Sequence, residues 1–406
     1  MRPPDPDPRT GTPTRSGPGD LPPPSGSAGA LHPYDGILLL SFGGPERPED
    51  VLPFLENVTR GRGVPEERLA EVARHYADLG GRSPINDHNR ALLAALRADL
   101  DARGLDTPLF WGNRNWHPYL PEALREAHAA GARRLLVILT SAFSSYSGCR
   151  QYREDLAAAL DTLAGDGLRL DVDRVRTYFN HPALAGAVIR AVTEARSRAP
   201  AGARLVFVTH ALPVAAAQRS GPHGGAYLAE HRDLAASIAA GLVGAGPDRG
   251  GADPHPPDWD LVFCSRSGPP EQPWLEPDIE DHLRDLAARG VAGVVVVPLG
   301  FLSDHVEVVH DLDVAAARVA ADLGLSWTRA ATPGTDPGFV AGLVDLALER
   351  AAQARGEPVD APTVGGLPAA PAVCPAGCCP APRGPRPAAC GADPDGGELR
   401  PGGVAG

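Results

Sequence analysis

The chain has 406 residues and a net charge of −12, and all 38 of its Lys/Arg side chains are arginine. An acidic chain without a basic stripe interleaved with aromatic residues is not typical of nucleic-acid binders. Because lysine is absent, a Schiff-base lysine, a Walker-type phosphate loop and a Ser/Lys dyad are excluded.

The two ends of the chain are rich in Gly and Pro and lack the composition of a packed core. Residues 1–33 are predicted to form a disordered extension, and they contain no apolar stretch of a signal peptide, which favours a cytoplasmic protein. The body is predicted to comprise a first lobe over 34–180, a second lobe over 181–335 and a C-terminal helix over 336–355. Residues 356–406 form a Pro/Gly/Cys-rich tail that cannot bury a core of its own.

Eight short runs rich in Leu, Val and Ile alternate with Ala-, Arg- and Glu-rich segments of helical period. The runs are Gly36–Phe42, Pro108–Gly112, Arg134–Thr140, Leu170–Arg176, Arg204–Thr209, Asp260–Cys264, Gly293–Leu299 and Leu325–Ala331. The helical segments are 65–79, 88–103, 120–131, 150–163, 181–198, 224–243, 275–289, 307–323 and 335–354. The alternation predicts an α/β fold of two similar Rossmann-like lobes, each a four-stranded parallel sheet with helices on both faces and a cleft between the lobes. The longest apolar run, around Gly293–Leu302, is about half of the roughly 20 residues that a membrane-spanning helix needs.

A histidine and several acids follow two strands of the second lobe. His210 ends the fifth run, and Glu307 opens the helix after the seventh. Because ligands bind beyond the carboxyl ends of parallel strands, these two residues could face one cleft and bind a metal ion or move protons. Asp304, Glu307 and Asp311 have the spacing of one helical face, a stripe that could pass on a divalent cation. A buried, hydrogen-bonded histidine and acids favoured by the helix dipole remain the alternatives.

Six ordered blocks of the chain resemble the ferrochelatase family, and in particular its actinobacterial coproporphyrin ferrochelatases. The blocks are Gly36–Pro45, Tyr76–Ile85, Gly112–Trp116, Thr209–Pro213, Ser265–Asp278 and Gly300–Glu307. The resemblance implies insertion of ferrous iron into coproporphyrin III to give Fe-coproporphyrin III, with two chelatase-type lobes enclosing the macrocycle. It also implies that His210 and Glu307 are the catalytic residues and form the Fe²⁺ site.

The resemblance further implies contacts to the porphyrin. Ser83 and Tyr152 match porphyrin-contacting positions, and Phe42 occupies the place where several relatives have a tyrosine, so that it would pack on the ring instead of coordinating iron. Asp304 and Asp311 remain a possible metal relay. Four arginines are candidates to pair with the propionates of the substrate, as bidentate partners of carboxylates. They are Arg60, Arg62, Arg82 and Arg114.

The tail carries four cysteines in the spacing C-x3-C-C-x10-C. From the residues alone the tail could be disordered, bind zinc or bind an iron–sulfur cluster. The resemblance implies a 2Fe-2S cluster held by Cys149 of the body and three tail cysteines. The preferred tail ligands are Cys374, Cys378 and Cys379, with Cys390 as the rival. Cys264 is predicted to be a small buried apolar residue.

Two alternatives to coproporphyrin ferrochelatase activity remain open in the sequence. The substrate could be protoporphyrin IX with the same fold and chemistry. A two-lobed protein that only binds haem or a metal is the alternative from another functional class. The expected partners are a porphyrin and ferrous iron, and possible further partners are the downstream enzymes of the haem pathway.

Overall fold

The computed structural model describes residues 29–61, 63–243, 255–268, 271–382, 384 and 386–392. All eight predicted runs contain a strand. They are β1 (Gly36–Ser41), β2 (Leu109–Asn113), β3 (Arg134–Leu139), β4 (Asp171–Arg174), β5 (Arg204–His210), β6 (Trp259–Cys264), β7 (Gly293–Val297) and β8 (Ser326–Arg329). They form two four-stranded sheets with the orders β2-β1-β3-β4 and β6-β5-β7-β8, and every pair is parallel. The shared order confirms the prediction of two similar α/β lobes.

Twelve α-helices are present in the described residues. They are α1 (Val51–Thr59), α2 (Glu66–Asp78), α3 (Ile85–Ala102), α4 (Leu120–Ala129), α5 (Gln151–Gly165), α6 (Pro182–Arg198), α7 (Val214–Gln218), α8 (Ala226–Gly241), α9 (Ile279–Ala288), α10 (Val306–Val308), α11 (Ala317–Asp322) and α12 (Pro337–Ala354). The sequence analysis missed α1, whose first turn contains Pro53, a residue that usually indicates a helix break, and α7, which is too short to show a period. The helix predicted over 307–323 is divided by a π-helical segment, Val309–Ala316.

Alternate residues of the central strands pack into different cores. In β1, Ile37 and Leu39 enter a large core that also contains β5, α6, α8 and α12, whereas Leu38 and Leu40 enter a separate core with α4 and α5. The large core is therefore shared by both lobes and lies between their sheets. The carboxyl ends of β1 and β5, the central strands, carry Phe42 and His210 to the cleft side.

The ends of the chain are more ordered than predicted. Residues 29–33 form a turn in which Leu31 is only 2% exposed, so the folded body begins before residue 34; residues 1–28 lie outside the described part. The tail runs along the body, with hydrogen bonds from Val364 N to Asn180 O (2.9 Å) and from Ala389 N to Arg153 O (2.9 Å). The first contact is to the segment before α6 and the second to α5, and these contacts order a segment that has no core of its own.

Within the described residues, no helix combines the length and apolar character needed to cross a bilayer.

His181, which caps α6, predicts a loss of stability in acid. Its buried imidazole Nδ1 accepts a hydrogen bond from Ala183 N (3.3 Å), and burial lowers its pKa to about 4. The unfolded chain gains this proton below about pH 6.5 but the folded chain does not, so stability falls as the pH drops from 6.5 to 4, by about 3 kcal/mol for this group. We expect His181→Asn, which keeps a capping acceptor, to flatten urea-unfolding free energies across this window. The assignment of this pH dependence to His181 would be contradicted if the slope of unfolding free energy against pH were the same in His181→Asn as in a His128→Asn control on α4.

Candidate active site

The structure brings together the two residues of the predicted iron site. His210 is the last residue of β5, and Glu307 lies in α10, which follows β7, the strand beside β5. The distance from His210 Nε2 to Glu307 Oε2 is 3.7 Å. The side chains are 32% and 53% exposed, so both are open to a ligand in the cleft.

The imidazole of His210 is oriented by the backbone carbonyl of the next residue. Nδ1 lies 2.6 Å from Ala211 O, a carbonyl that can only accept, so Nδ1 carries the hydrogen. In the neutral ring the lone pair is then on Nε2, the atom that faces Glu307. A neutral imidazole whose other nitrogen donates to a backbone carbonyl is the usual form of a histidine metal ligand.

Asp311 is fixed by two neighbours in the second lobe. Its carboxylate accepts a hydrogen bond from the Ser265 hydroxyl and lies 3.1 Å from His310 Nδ1. Ser265 follows β6 and has a φ of 60°, an uncommon conformation for a residue other than glycine. The strained backbone turns its hydroxyl toward the acidic group, which suggests a functional constraint. His310 in turn stacks on His75 of α2 with a ring separation of 3.8 Å, linking the first lobe to the second.

Asp304 does not share a helical face with Glu307 and Asp311. It precedes α10, and Arg329 of β8 donates two hydrogen bonds to its carboxylate, at 3.1 and 2.9 Å. The predicted three-acid stripe assumed a continuous α-helix, whereas the chain enters the helix only at Val306 and becomes π-helical at residue 309. Asp311 is therefore the acid available beside Glu307, and Asp304 is neutralised by an arginine.

An aromatic group of the first lobe forms the neighbouring wall of the cleft. Phe54 of α1 makes edge contacts to Phe42 (6.3 Å), Tyr76 (6.2 Å) and Trp116 (6.1 Å). Val306, the residue before Glu307, packs in the same cluster as Phe54 and Tyr76, so this wall adjoins the acid of the second lobe. Phe42 is 37% exposed, and this wall therefore presents an aromatic surface.

The ferrochelatase family profile matches residues 34–351. The chain belongs to the ferrochelatase family. The resemblance of the six sequence blocks is thereby confirmed, and so is the expected enzyme class, a metal chelatase.

Several relatives match most of the chain. A protein from Streptomyces coelicolor named coproporphyrin III ferrochelatase is 55% identical over 371 residues, which cover 89% of this chain and 97% of that one. A protein of the same name from Nocardia farcinica is 48% identical and covers 88% and 99%, and a ferrochelatase from Rhodopirellula baltica is 44% identical and covers 86% and 94%. Among solved structures, SirB from Bacillus subtilis with Fe³⁺ covers 79% of this chain and 97% of its own at 12% identity and a TM-score of 0.45.

Two of the three porphyrin contacts that the ferrochelatase resemblance implied are buried. Ser83 is 3% exposed and packs beneath Gly44, where an added Cβ would lie 2.8 Å from Ser83 Cβ. Tyr152 is 4% exposed and lies under the guanidinium of Arg114, 4.4 Å from its ring centre. Direct contact by these two side chains is thus not available in this structure, and Phe42 is the accessible member of the set.

The four arginine candidates for the propionates differ in their surroundings. Arg114 is 4% exposed and ion-paired with Asp155, and Arg82 is ion-paired with Asp87. Arg60, at the end of α1, is exposed and has no ion pair among the described residues. Arg62 lies outside the described residues. Arg60 is therefore the described candidate with a free charge.

Four cysteines, one from the segment after β3 and three from the tail, form a buried group. They are Cys149, Cys374, Cys378 and Cys379, each at most 5% exposed. Cys378 Sγ and Cys379 Sγ are 3.9 Å apart. Cys390 packs instead in the outer core of the first lobe, with its thiol 3.5 Å from Val172 O, and Cys264 is 1% exposed in an apolar core, as predicted. Across the described residues, no three ligating side chains form a ready-made site for a metal ion.

The sequence analysis missed Tyr76, Ser265 and His310 as neighbours of the site. Tyr76 and Ser265 were noted only as parts of family blocks, and His310 resembled any helical residue. The positive φ of Ser265 and the stack of His310 on His75 depend on tertiary structure and have no local sequence signal. The strand-end rule, by contrast, named His210 and Glu307 as candidates, and the family resemblance assigned them the iron site.

Proposed function

We propose that this protein inserts ferrous iron into coproporphyrin III, yielding Fe-coproporphyrin III for haem synthesis. The observation that carries the proposal is the accessible pair of His210 Nε2 and Glu307 Oε2, 3.7 Å apart. An aromatic wall adjoins this pair, because Phe42 contacts Phe54, Phe54 contacts Tyr76, and Val306, next to Glu307, packs in the same cluster. A flat macrocycle needs such an aromatic surface, and iron insertion needs such a pair of donors.

The pair fits the chemistry of the reaction. Ferrous iron must lose water while two pyrrole N–H protons leave the ring. A neutral imidazole nitrogen and a carboxylate oxygen are suitable ligands for this ion, and both groups can also accept protons. We assign His210 as iron ligand or proton acceptor and Glu307 as its acidic partner, with Asp311 supplying a second carboxylate on the route to them. Phe42 packs on the ring, and Ser83 and Tyr152 support the surrounding loops from below.

The choice of coproporphyrin III rests on the relatives and on charge. The matching proteins from Streptomyces coelicolor and Nocardia farcinica are both named for this substrate. Coproporphyrin carries four propionates and protoporphyrin IX carries two, so coproporphyrin gains more binding affinity from ion pairs with arginine. The exposed Arg60 supports such pairing, since guanidinium groups bind carboxylates with two parallel hydrogen bonds. A cytoplasmic setting, which keeps thiols reduced, belongs to the same proposal.

We further propose that Cys149, Cys374, Cys378 and Cys379 hold a 2Fe-2S cluster. Four buried cysteines that pack in one group provide the number and kind of donors that such a cluster requires. Arg174 is 2% exposed, donates to Cys374 Sγ (2.7 Å) and Val175 O (3.0 Å), and has no carboxylate partner among the described residues. Its Nε is buried without a partner. A buried cation needs negative charge beside it, and thiolates of a cluster would supply that charge. When bound, the cluster would add a one-electron redox centre and a cross-link for the tail.

A comparison of the two porphyrins tests the proposed substrate. With ferrous iron under anaerobic conditions, we expect a kcat/KM for coproporphyrin III about tenfold or more above that for protoporphyrin IX, because two additional charged groups are paired. Formation of the metalloporphyrin is followed by absorbance, with detergent matched in both assays. Equal or reversed values would assign protoporphyrin IX as the substrate. Stoichiometric binding of either porphyrin without turnover would indicate the non-catalytic binding protein.

A further inference from the structure

A buried hydrogen-bonded group lies directly behind His210. Tyr227 and His231 of α8 and Thr209 of β5 form it, and the three side chains are at most 5% exposed. Tyr227 Oη is 2.8 Å from Thr209 Oγ1, and Thr209 Oγ1 is 2.9 Å from His231 Nε2. The Tyr227 hydroxyl also donates to His210 O at 2.8 Å. The group therefore ends on the backbone of the residue that carries the iron-site imidazole.

The direction of these hydrogen bonds follows from His231. Its Nδ1 lies 2.7 Å from Tyr227 O and must donate to that carbonyl. Burial lowers the pKa of His231 to about 3, so the ring is neutral and its Nε2 accepts. Thr209 then donates its only hydroxyl hydrogen to His231 and can only accept from Tyr227, so the Tyr227 hydroxyl hydrogen is shared between Thr209 Oγ1 and His210 O. The Tyr227 hydroxyl is therefore the donor of this buried group to His210 O.

The backbone around the His210 imidazole is held at two successive carbonyls. Tyr227 binds the carbonyl of His210, and the imidazole itself binds the carbonyl of Ala211. The turn after β7 also closes over this place, because a Cβ on Gly300 would lie 2.1 Å from Thr209 Oγ1 and 3.0 Å from Thr209 Cα. The strand end has little space in which to shift once the Tyr227 bond is made.

We propose that Tyr227 is a positioning residue for iron insertion, whose hydroxyl fixes the end of β5 so that His210 Nε2 remains directed at Glu307. The proposal rests on the proposed role of His210 in binding iron or accepting protons. Tyr227 contacts neither substrate directly. It acts on the imidazole through the peptide unit that bears it, and its effect is therefore on the iron half of the reaction and not on porphyrin binding.

The test compares Tyr227→Phe with Tyr178→Phe in the full chain. Tyr178 is a matched control, since it is 2% exposed and its hydroxyl donates to Leu139 O at 2.5 Å, at the end of β3 in the first lobe. We expect Tyr227→Phe to lower kcat/KM for ferrous iron about tenfold while the KM for coproporphyrin III stays unchanged. Tyr178→Phe should lose comparable thermal stability but keep the iron kinetics.

Variants of Thr209 distinguish loss of the Tyr227 hydrogen bond from a folding defect caused by Tyr227→Phe. Thr209→Val removes the hydroxyl that contacts Tyr227 but keeps the side-chain shape, and it should reproduce the selective loss in iron kinetics. Thr209→Ser keeps the hydroxyl and should retain most of the wild-type kcat/KM for ferrous iron. Equal effects of Tyr227→Phe on both substrates, or iron kinetics no different from those of Tyr178→Phe, would overturn the proposal. His210→Ala with wild-type turnover would instead refute the proposed role of His210, which keeps the two failures distinct.

Discussion

Replacing His210 by Ala is expected to reduce iron insertion by about a thousandfold, because it removes the nitrogen that can bind iron or accept a pyrrole proton. Glu307→Gln keeps the side-chain shape and removes the charge, and should cost about a hundredfold. Porphyrin binding should be preserved in both variants, since the aromatic wall around Phe42 is unaltered. Metalloporphyrin formation and porphyrin titration, measured on the same preparation, give the two quantities.

The double variant distinguishes a joint site from two independent effects. The two side chains are 3.7 Å apart, and groups that act on one ion or one proton do not contribute additively. The double variant His210→Ala/Glu307→Gln should therefore be little worse than His210→Ala alone. His128→Ala on α4 and Glu280→Gln on α9, where Glu280 pairs with Arg284, serve as controls with full activity. Strict multiplication of the two losses, or wild-type turnover in either single variant, would contradict the proposed site.

Much of this arrangement could be predicted because it depends on periodic and topological rules. Buried parallel strands appear as continuous apolar runs, so all eight were found, whereas the order of the strands within each sheet was not predicted. His210 and Glu307 were candidates because both follow strands of the second lobe, and the family resemblance then assigned them the iron site. The sequence therefore predicted the lobes and the central pair of the site.

The remainder depends on contacts between distant residues. The prediction of an acidic stripe was wrong because Arg329 of β8 forms an ion pair with Asp304 and because the helix becomes π-helical after residue 308. Tyr152 is buried because it packs into the outer core of the first lobe beneath Arg114, and no spacing in the sequence encodes these tertiary contacts. Helix α1 was missed because Pro53 lies in its first turn, where proline is tolerated but looks like a break.

Loss of one proposed tail ligand is expected to remove the proposed cluster entirely. Cys374→Ser should abolish the visible absorption and the iron and acid-labile sulfide of anaerobically purified protein, because Cys374 lies in the buried group and also faces Arg174. Cys390→Ser is the matched control from the same tail, because the Cys390 thiol faces Val172 O in another core. This variant should retain the visible absorption, the iron and the acid-labile sulfide. Cluster loss with Cys390→Ser, or purified protein containing zinc without sulfide, would contradict the assignment.

The same variant should also weaken the fold and the active site, because the cysteine group connects three parts of the chain. Cys149 belongs to the first lobe, and Cys379 accepts a hydrogen bond from Gly221 N (3.0 Å), before α8 of the second. Beside Gly221, Ser220 accepts from Tyr227 N at 2.7 Å, and Tyr227 reaches His210 O. We expect Cys374→Ser to lower Tm by roughly 5 °C, as a bound group that stabilises only the folded state is lost. The loss of iron turnover should exceed the loss of porphyrin affinity, because this path ends at His210 and does not include the aromatic wall. An equal fall in iron turnover and porphyrin affinity with an unchanged Tm would contradict this path from the cysteine group to His210.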